Sequence, residues 1–149
     1  MRIAVLNGPN LNLLGVREPE LYGRTTLSQV ENALAEVARE IDVSIECSQE
    51  NGEGALIDIV HGLRGRVDGA VVNFGAYSHT SLALRDALVG VNLPFVEVHV
   101  TNVYAREPER RHSMLASAAV GVVVGLGTQG YELALRGLVA TLRARATAS

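Results

Sequence analysis

Two pairs of polar residues in this chain of 149 residues have the types and spacing to transfer protons. Glu97 and His99 are two residues apart, so both side chains project from the same face if they lie on a strand. A carboxylate bound to one ring nitrogen fixes the tautomer of a histidine and leaves the other nitrogen free for proton transfer. Tyr22 follows Arg17 in "GPNLNLLGVREPELYG" (8–23), a stretch too polar and too rich in Gly and Pro for a helix or a core strand. A tyrosinate base facing a histidine acid would suit proton abstraction followed by elimination.

A tyrosine needs nearby cations before it can act as a base. A free phenol has a pKa of about 10, so forming a phenolate near neutral pH costs about 4 kcal/mol. One guanidinium lowers a neighbouring pKa by about one to three units, and two of them can offset that cost. Arg17 is close to Tyr22 in sequence. Arg106 precedes a short helix predicted for 107–115, and Arg110 lies within it; the two are four residues apart and can approach from the loop after strand 4. Alone, Tyr22 could be an exposed loop residue and His99 a structural histidine. The presence of both, together with arginines that can approach Tyr22, favours a functional site.

The apolar pattern predicts the elements that must position these residues. Near-continuous apolar runs are typical of parallel strands covered on both faces, and they occur at 3–6, 43–47, 69–73, 95–100 and 120–126. Helical spacing occurs between and after them, at 27–41, 55–63, 80–88 and 131–145, and Thr26 with Gln29 forms a capping-box pattern before the first. We therefore predict one α/β domain over 1–149. It is a doubly wound, flavodoxin-like three-layer sandwich whose five-stranded parallel sheet has the order 2-1-3-4-5.

This topology predicts where a ligand binds. In such sheets the ligand lies outside the carboxyl ends of the strands, at the switch point between strands 1 and 3. The loops that follow strands 1, 3 and 4 carry the unusual polar residues of the chain, which are Asn10, Arg17, Tyr22, Asn73, His79, His99, Thr101 and Arg106.

Composition excludes several mechanisms and partners. All 13 basic residues are arginine, so no side chain can form a Schiff base and no Walker-type lysine exists. A net charge of -3 without a basic cluster predicts neither a nucleic-acid nor a membrane partner. The apolar stretch 118–126 is too short to cross a bilayer, and the first residues do not form a secretory signal. With Cys47 as the only cysteine, we expect a cytoplasmic protein.

Cofactor motifs are weak in this sequence. "GLGTQG" (125–130) matches the dinucleotide fingerprint, but no strand follows it to carry the acidic residue that would hold a ribose. A tight turn from strand to helix is the better interpretation. A flavin would require a Ser/Thr-rich loop after strand 1, and a phospho-receiver would require a lysine. The 4 histidines show no metal-ligand spacing, so we expect neither a cofactor nor a metal.

Four segments together resemble one enzyme family, the type II 3-dehydroquinate dehydratases or type II dehydroquinases. They are "NGPNLNLLGVREPELYG" (7–23), "GAYSHTSLALRDA" (75–87), "EVHVTNVYAREPERRHS" (97–113) and "GVVVGLGTQGY" (121–131). The resemblance covers nearly the whole chain. It implies an anti dehydration of 3-dehydroquinate to 3-dehydroshikimate, in the shikimate pathway of aromatic amino acid biosynthesis, without metal or organic cofactor. Type I enzymes use a lysine imine, which this chain cannot form.

The resemblance also implies the catalytic roles. Tyr22 would remove the proton alpha to the ketone, assisted by Arg17. Asn10 would hold a water that stabilises the resulting enolate. His99 would protonate the departing hydroxyl, oriented by Glu97.

Further residues are implied in binding the substrate. Asn73, His79 and Arg110 would hold the ring hydroxyls. The backbone amides near Val100 and Thr101, with the Thr101 hydroxyl, would bind the carboxylate. Arg106 would lie in the loop that closes over the ligand. Asp86 lies seven residues, or two helical turns, after His79 and would reach the site of a neighbouring subunit. Such sharing implies a trimer, and four trimers would form a homododecamer.

The sequence departs from the family at several positions. Phe74 replaces a usual proline, Thr101 a usual serine and Glu109 a common aromatic residue, and "QENGEG" (49–54) is also unusual. These changes bear on affinity and loop closure rather than on the reaction type. The alternative hypothesis is a non-catalytic paralogue that binds small anions on the same fold. The presence of Tyr22, Arg17, Asn10 and His99 argues against it.

Overall fold

In the computed structural model, which describes all of residues 1–149, five parallel strands form one sheet in the order β2-β1-β3-β4-β5. This order confirms the predicted fold class. The strands are β1 (Arg2–Asn7), β2 (Ser44–Gln49), β3 (Gly69–Asn73), β4 (Phe95–His99) and β5 (Gly121–Val124). In the register between β1 and β3, Asn7 lies opposite Asn73, so two asparagines mark the switch point.

Helices cover both faces of the sheet. They are α1 (Pro19–Tyr22), α2 (Leu27–Glu40), α3 (Glu53–Gly62), α4 (Tyr77–Thr80), α5 (Leu82–Gly90) and α6 (Gln129–Ala148). The helices α2 and α6 pack on one face, and α3 and α5 on the other. The predicted capping box at the start of α2 is present, with both hydrogen bonds between Thr26 and Gln29 formed. No helix combines the length and the apolar character needed to cross a membrane.

Alternate residues of the strands pack into two separate hydrophobic cores, one on each face of the sheet. Ile3 and Val5 point into the core beneath α2 and α6, whereas Ala4 and Leu6 point into the core beneath α3 and α5. This period of two explains the continuous apolar runs, because both faces of each inner strand are buried. Phe74, where the family usually has proline, is fully buried in the second core.

The short helix predicted for 107–115 is wrong. Only one 3-10 turn forms there, at Pro108–Arg110. The backbone beyond it is satisfied by other partners: Met114 N–H donates to the Ser78 carbonyl, and the Ser113 hydroxyl accepts from two amides. These contacts replace the hydrogen bonds that a helix would make.

Two further expectations about local helices need correction. The helix expected for 80–88 starts at Leu82, because Ser81 is extended and caps α5 by accepting from Leu84 N–H. His79 therefore belongs to the preceding single turn α4, and Asp86 does not lie two turns above it on the same helix. The stretch 8–23, expected to contain no helix, holds a 3-10 turn (Leu11–Leu13) and the single turn α1.

Gly8 allows the loops after β1 and β3 to meet. Its N–H donates to the Asn73 carbonyl at 2.8 Å. A Cβ atom at position 8 would lie only 2.6 Å from the Phe74 carbonyl oxygen, so only glycine fits this close approach. The loop that carries Asn10, Arg17 and Tyr22 thus begins beside the loop that carries His79.

Candidate active site

A cavity of about 120 Å³ opens at the carboxyl ends of β1, β3 and β4. The predicted site residues that line it are Asn10, Arg17, Tyr22, Asn73, His79, His99, Val100, Thr101, Arg106 and Arg110. Glu97 lies behind His99 on β4, while Asp86 is exposed on α5 and does not line the cavity. The structure therefore brings together residues that are up to 100 positions apart in the chain.

Tyr22 is held between two guanidinium groups. Arg106 Nη1 donates to the Tyr22 hydroxyl oxygen at 2.7 Å. The Arg17 and Arg106 guanidinium carbons lie 5.2 and 5.3 Å from the centre of the tyrosine ring. Because a guanidinium only donates hydrogen bonds, the phenol oxygen is the acceptor in this contact.

The three arginines at the cavity make different contacts. Arg106 is the one that bonds the Tyr22 oxygen, and its side chain is only 13% exposed. Arg17 lies over the ring and pairs with Glu18 at 3.3 Å. Arg110 pairs with Glu107 instead of approaching Tyr22, and this hydrogen bond lowers the pKa of the exposed Glu107 carboxyl. The strongest contact to the phenol oxygen thus comes from the loop after β4.

His99 and Glu97 form the pair predicted from their spacing. His99 Nε2 lies 3.3 Å from Glu97 Oε1, and both side chains are almost completely buried. Neither His99 Nε2 nor Glu97 Oε2 makes a hydrogen bond within the chain. Buried polar atoms without a partner are uncommon outside functional sites, so this pair is a candidate for proton transfer.

Ser113 fixes the carboxylate of Glu97. The serine Oγ accepts from the N–H groups of Leu115 and Ala116, at 3.0 and 3.1 Å. Both of its lone pairs are then occupied, so its hydroxyl hydrogen is directed at Glu97 Oε1, 2.5 Å away. A donor held in this way keeps Oε1 an acceptor beside His99.

His79 is set up as a hydrogen-bond acceptor. Its Nδ1 lies 2.8 Å from the His112 carbonyl oxygen, which can only accept, so Nδ1 carries the proton. Burial is the main reason that the pKa of His79 is lowered, and the neutral ring then has a free lone pair on Nε2. His79 also stacks against His99 with ring centres 5.6 Å apart. A substrate hydroxyl could donate to this Nε2.

Several backbone and amide groups around the cavity have no partner within the chain. The N–H groups of Val100 and Thr101 donate no hydrogen bond, as expected of groups that would receive a carboxylate. Asn10 is in the left-handed region (φ 69°), its N–H donates to Asn51 Oδ1, and its side-chain amide makes no hydrogen bond within the chain.

Asn73 is tied to the interior through Tyr131. Asn73 Nδ2 donates to the Tyr131 hydroxyl at 2.9 Å, and that hydroxyl donates to Asn7 Oδ1 at 2.6 Å. Asn73 Oδ1 accepts from Gly75 N–H. Sequence reasoning missed both Ser113 and Tyr131, although both lie in the segments that resemble the family. Their hydrogen bonds join elements 16 and 58 residues apart, and no local spacing reveals such pairs.

Comparison with known proteins gives concordant matches. Residues 1–139 match the family model described as dehydroquinase class II. A 3-dehydroquinate dehydratase of Gemmatimonas aurantiaca is 61% identical over 142 residues, which are 95% of this chain and 93% of that protein. A catabolic 3-dehydroquinase 2 of Aspergillus flavus is 57% identical over 134 residues, 90% of this chain and 89% of that one. The crystal structure of a type II dehydroquinase from Butyrivibrio crossotus superposes with a TM-score of 0.91 at 41% identity, covering 93% of this chain and 97% of the other.

Proposed function

This chain belongs to the dehydroquinase class II family, a lyase family that converts 3-dehydroquinate to 3-dehydroshikimate, and we propose that Tyr22 and His99 carry its two proton transfers. This proposal rests on one observation, which is that Tyr22 and His99 lie at the same cavity and each contacts its own charged partner. Arg106 bonds the oxygen of Tyr22, and Glu97 lies against His99. The reaction belongs to the shikimate pathway.

The first step removes a proton from the carbon between the ketone and the carbon that bears the departing hydroxyl. The Tyr22 phenolate takes this proton, and the electron pair moves onto the ketone oxygen to give an enolate. Arg106 and Arg17 stabilise the phenolate before the step. The free side-chain amide of Asn10 stabilises the enolate through a bound water.

The second step expels the hydroxyl. The enolate collapses to the conjugated ketone, the carbon–oxygen bond breaks, and His99 supplies the proton with which the hydroxyl leaves as water. Glu97 holds the ring and stabilises its protonated form before the transfer.

The remaining residues hold the substrate. The N–H groups of Val100 and Thr101 and the Thr101 hydroxyl receive the carboxylate. Asn73, His79 and Arg110 bind the ring hydroxyls, and His79 does so as an acceptor because its Nδ1 proton is already used. The segment with Arg106 closes over the ligand.

The chain is proposed to work as one catalytic domain in a cytoplasmic homododecamer of four trimers. Asp86 is exposed on α5 and does not line the cavity of its own subunit, and we assign its carboxylate to the site of a neighbouring subunit. The cytoplasmic location is proposed because Cys47 is the only cysteine and cannot form a disulfide within the chain.

The direct test is to incubate the purified, chelator-treated protein with 3-dehydroquinate and follow the ultraviolet absorbance of the conjugated enone-carboxylate. The absorbance should rise at a rate proportional to protein concentration. A correctly assembled sample without turnover would contradict the proposed function. It would favour the alternative of a non-catalytic anion-binding paralogue.

Arg106→Ala should weaken Tyr22 as a base, because the phenol oxygen loses its hydrogen bond to the guanidinium. A charge-assisted hydrogen bond contributes about 1.5–3 kcal/mol, so kcat should fall by about ten- to 100-fold. Steady-state kinetics with 3-dehydroquinate measure this change. Arg24→Ala, which replaces an exposed arginine close to Tyr22 in the chain, serves as the control and should leave kcat unchanged. An unchanged kcat with only KM raised would assign Arg106 to substrate binding alone.

Ser113→Ala should lower kcat by about ten- to 100-fold with little change in KM, because Glu97 loses a hydrogen bond to its charged group. Ser113→Thr keeps the hydroxyl and should recover most of the loss. Ser117→Ala is the matched control, since this serine accepts from Arg85 and does not contact Glu97. Full kcat in the alanine variant would show that Ser113 does not assist the His99 pair.

A further inference from the structure

We propose that Tyr131 is a positioning residue for the dehydration: its buried hydroxyl fixes the Asn73 amide so that Nδ2 offers a hydrogen to the substrate. This inference rests on the function proposed above. Tyr131 is fully buried and does not line the cavity, so it acts only through Asn73.

Gly75, Asn73, Tyr131 and Asn7 form a series of hydrogen bonds. The direction of each bond follows from the Gly75 N–H group at one end of this series. Gly75 N–H can only donate, so the atom of Asn73 that it meets at 3.1 Å is the oxygen Oδ1. Asn73 Nδ2 therefore faces the Tyr131 oxygen and donates to it. The hydroxyl hydrogen of Tyr131 must then go to Asn7 Oδ1, which lies 2.6 Å away. One hydrogen of Asn73 Nδ2 remains, and Asn73 lines the cavity.

The Tyr131 phenol stays neutral, as this chain of hydrogen bonds requires. Burial raises its pKa well above the ordinary value for a tyrosine. A phenolate could accept from Asn73 but could not donate to Asn7, so the hydrogen bond between Tyr131 and Asn7 would be lost. The neutral hydroxyl can do both at once.

The glycine motif at 125–130 brings Tyr131 to this position. Gly125 and Gly127 have positive φ angles (85° and 67°), and their N–H groups donate to the carbonyls of His99 and Val100. The turn thus joins the end of β4 to the start of α6. A Cβ at Gly130 would already touch Val98 and Val123, at 3.5 and 3.4 Å. The motif that resembles a nucleotide fingerprint therefore packs the start of α6 closely against the sheet, with Tyr131 beneath the ends of β1 and β3.

Without the Tyr131 hydroxyl, Nδ2 of Asn73 has no interior partner. Only the Gly75 N–H then holds the amide, through Oδ1, so Nδ2 is no longer fixed at the position from which it meets the substrate. Tyr131→Phe should therefore lower kcat/KM for 3-dehydroquinate by about ten-fold, mainly through KM.

Asn7→Ala breaks the same series of hydrogen bonds at its other end. This variant replaces Tyr131→Phe in the experiment if Tyr131→Phe does not fold. Its loss leaves the Tyr131 hydroxyl without its acceptor, so the hydroxyl is no longer fixed in the direction that lets its oxygen accept from Asn73 Nδ2. A similar loss of kcat/KM is expected, although Asn7 does not line the cavity.

The deciding experiment is a double-mutant cycle with Asn73→Ala, with melting temperatures measured for each variant. In the Asn73→Ala background, Tyr131→Phe and Asn7→Ala should change kcat/KM by less than about two-fold, because the group they position is gone. A merely structural role would lower the melting temperature and kcat/KM equally in both backgrounds, and that result overturns the proposal. Wild-type protein assayed alongside separates the two claims: an inactive wild type overturns the dehydratase function and the positioning role with it, whereas an active wild type with equal losses in both backgrounds overturns the role of Tyr131 alone.

Discussion

Tyr22→Phe should lower kcat by about 10²- to 10⁴-fold and change KM little. The substitution removes the phenol oxygen that accepts a hydrogen bond from Arg106 at 2.7 Å and that is therefore placed to act as the base. It leaves the ring between Arg17 and Arg106, so the shape of the cavity is kept. Steady-state kinetics with 3-dehydroquinate measure both constants.

Tyr104→Phe is the matched control for this experiment. Tyr104 is 61% exposed, and its hydroxyl makes no hydrogen bond within the chain, so the variant should behave as wild type. Near-normal kcat in the Tyr22 variant would show that another group removes the proton.

His99→Ala should also lower kcat by about 10²- to 10⁴-fold, because the departing hydroxyl would have to leave without a proton donor. The measurement is kcat for 3-dehydroquinate by steady-state kinetics.

His61→Ala, on the exposed surface of α3, is the control and should leave kcat unchanged. A near-normal kcat in the His99 variant would assign the general acid to another residue. His79 is the neighbour that such a result would indicate, given its stacking on His99.

The structure explains why Tyr22 and not Tyr131 is the candidate base. Both phenols lie near the carboxyl ends of the strands, but their surroundings are opposite. Tyr131 is enclosed by apolar residues and neutral amides, and burial raises its pKa. Tyr22 is half-buried between two guanidinium groups. Charge and solvent access, rather than residue type, assign the two roles.

The strands and their order could be predicted because both faces of the inner strands are buried. Burial on both sides gives continuous apolar runs, and the alternation of these runs with helical patterns determines a doubly wound topology. The location of the cavity followed from the topology alone, since the loops after β1, β3 and β4 must meet. The spacing of Glu97 and His99 was sufficient to predict their contact.

Contacts between distant segments could not be predicted in the same way. The hydrogen bond between Arg106 and Tyr22 joins residues 84 positions apart. It forms only if the loops after β1 and β4 pack against each other in one particular arrangement. The helix expected for 107–115 failed for a related reason, because the N–H groups of Met114 and Leu115 bond to Ser78 and Ser113 instead of to the preceding turn. Ser81 likewise interrupts a helical pattern by capping α5. Tertiary hydrogen bonds override local propensity in each case.

The assignment of Tyr22 as the base and His99 as the acid is tested most directly by isotope exchange. The His99→Ala and Tyr22→Phe variants are each incubated with 3-dehydroquinate in deuterium oxide, and the recovered substrate is examined by mass spectrometry. His99→Ala should incorporate deuterium at the carbon between the ketone and the carbon bearing the departing hydroxyl, because Tyr22 still forms the enolate and returns a solvent-derived deuteron. Tyr22→Phe should incorporate none above the rate without protein. Equal incorporation by both variants would contradict the assignment of Tyr22 as the base.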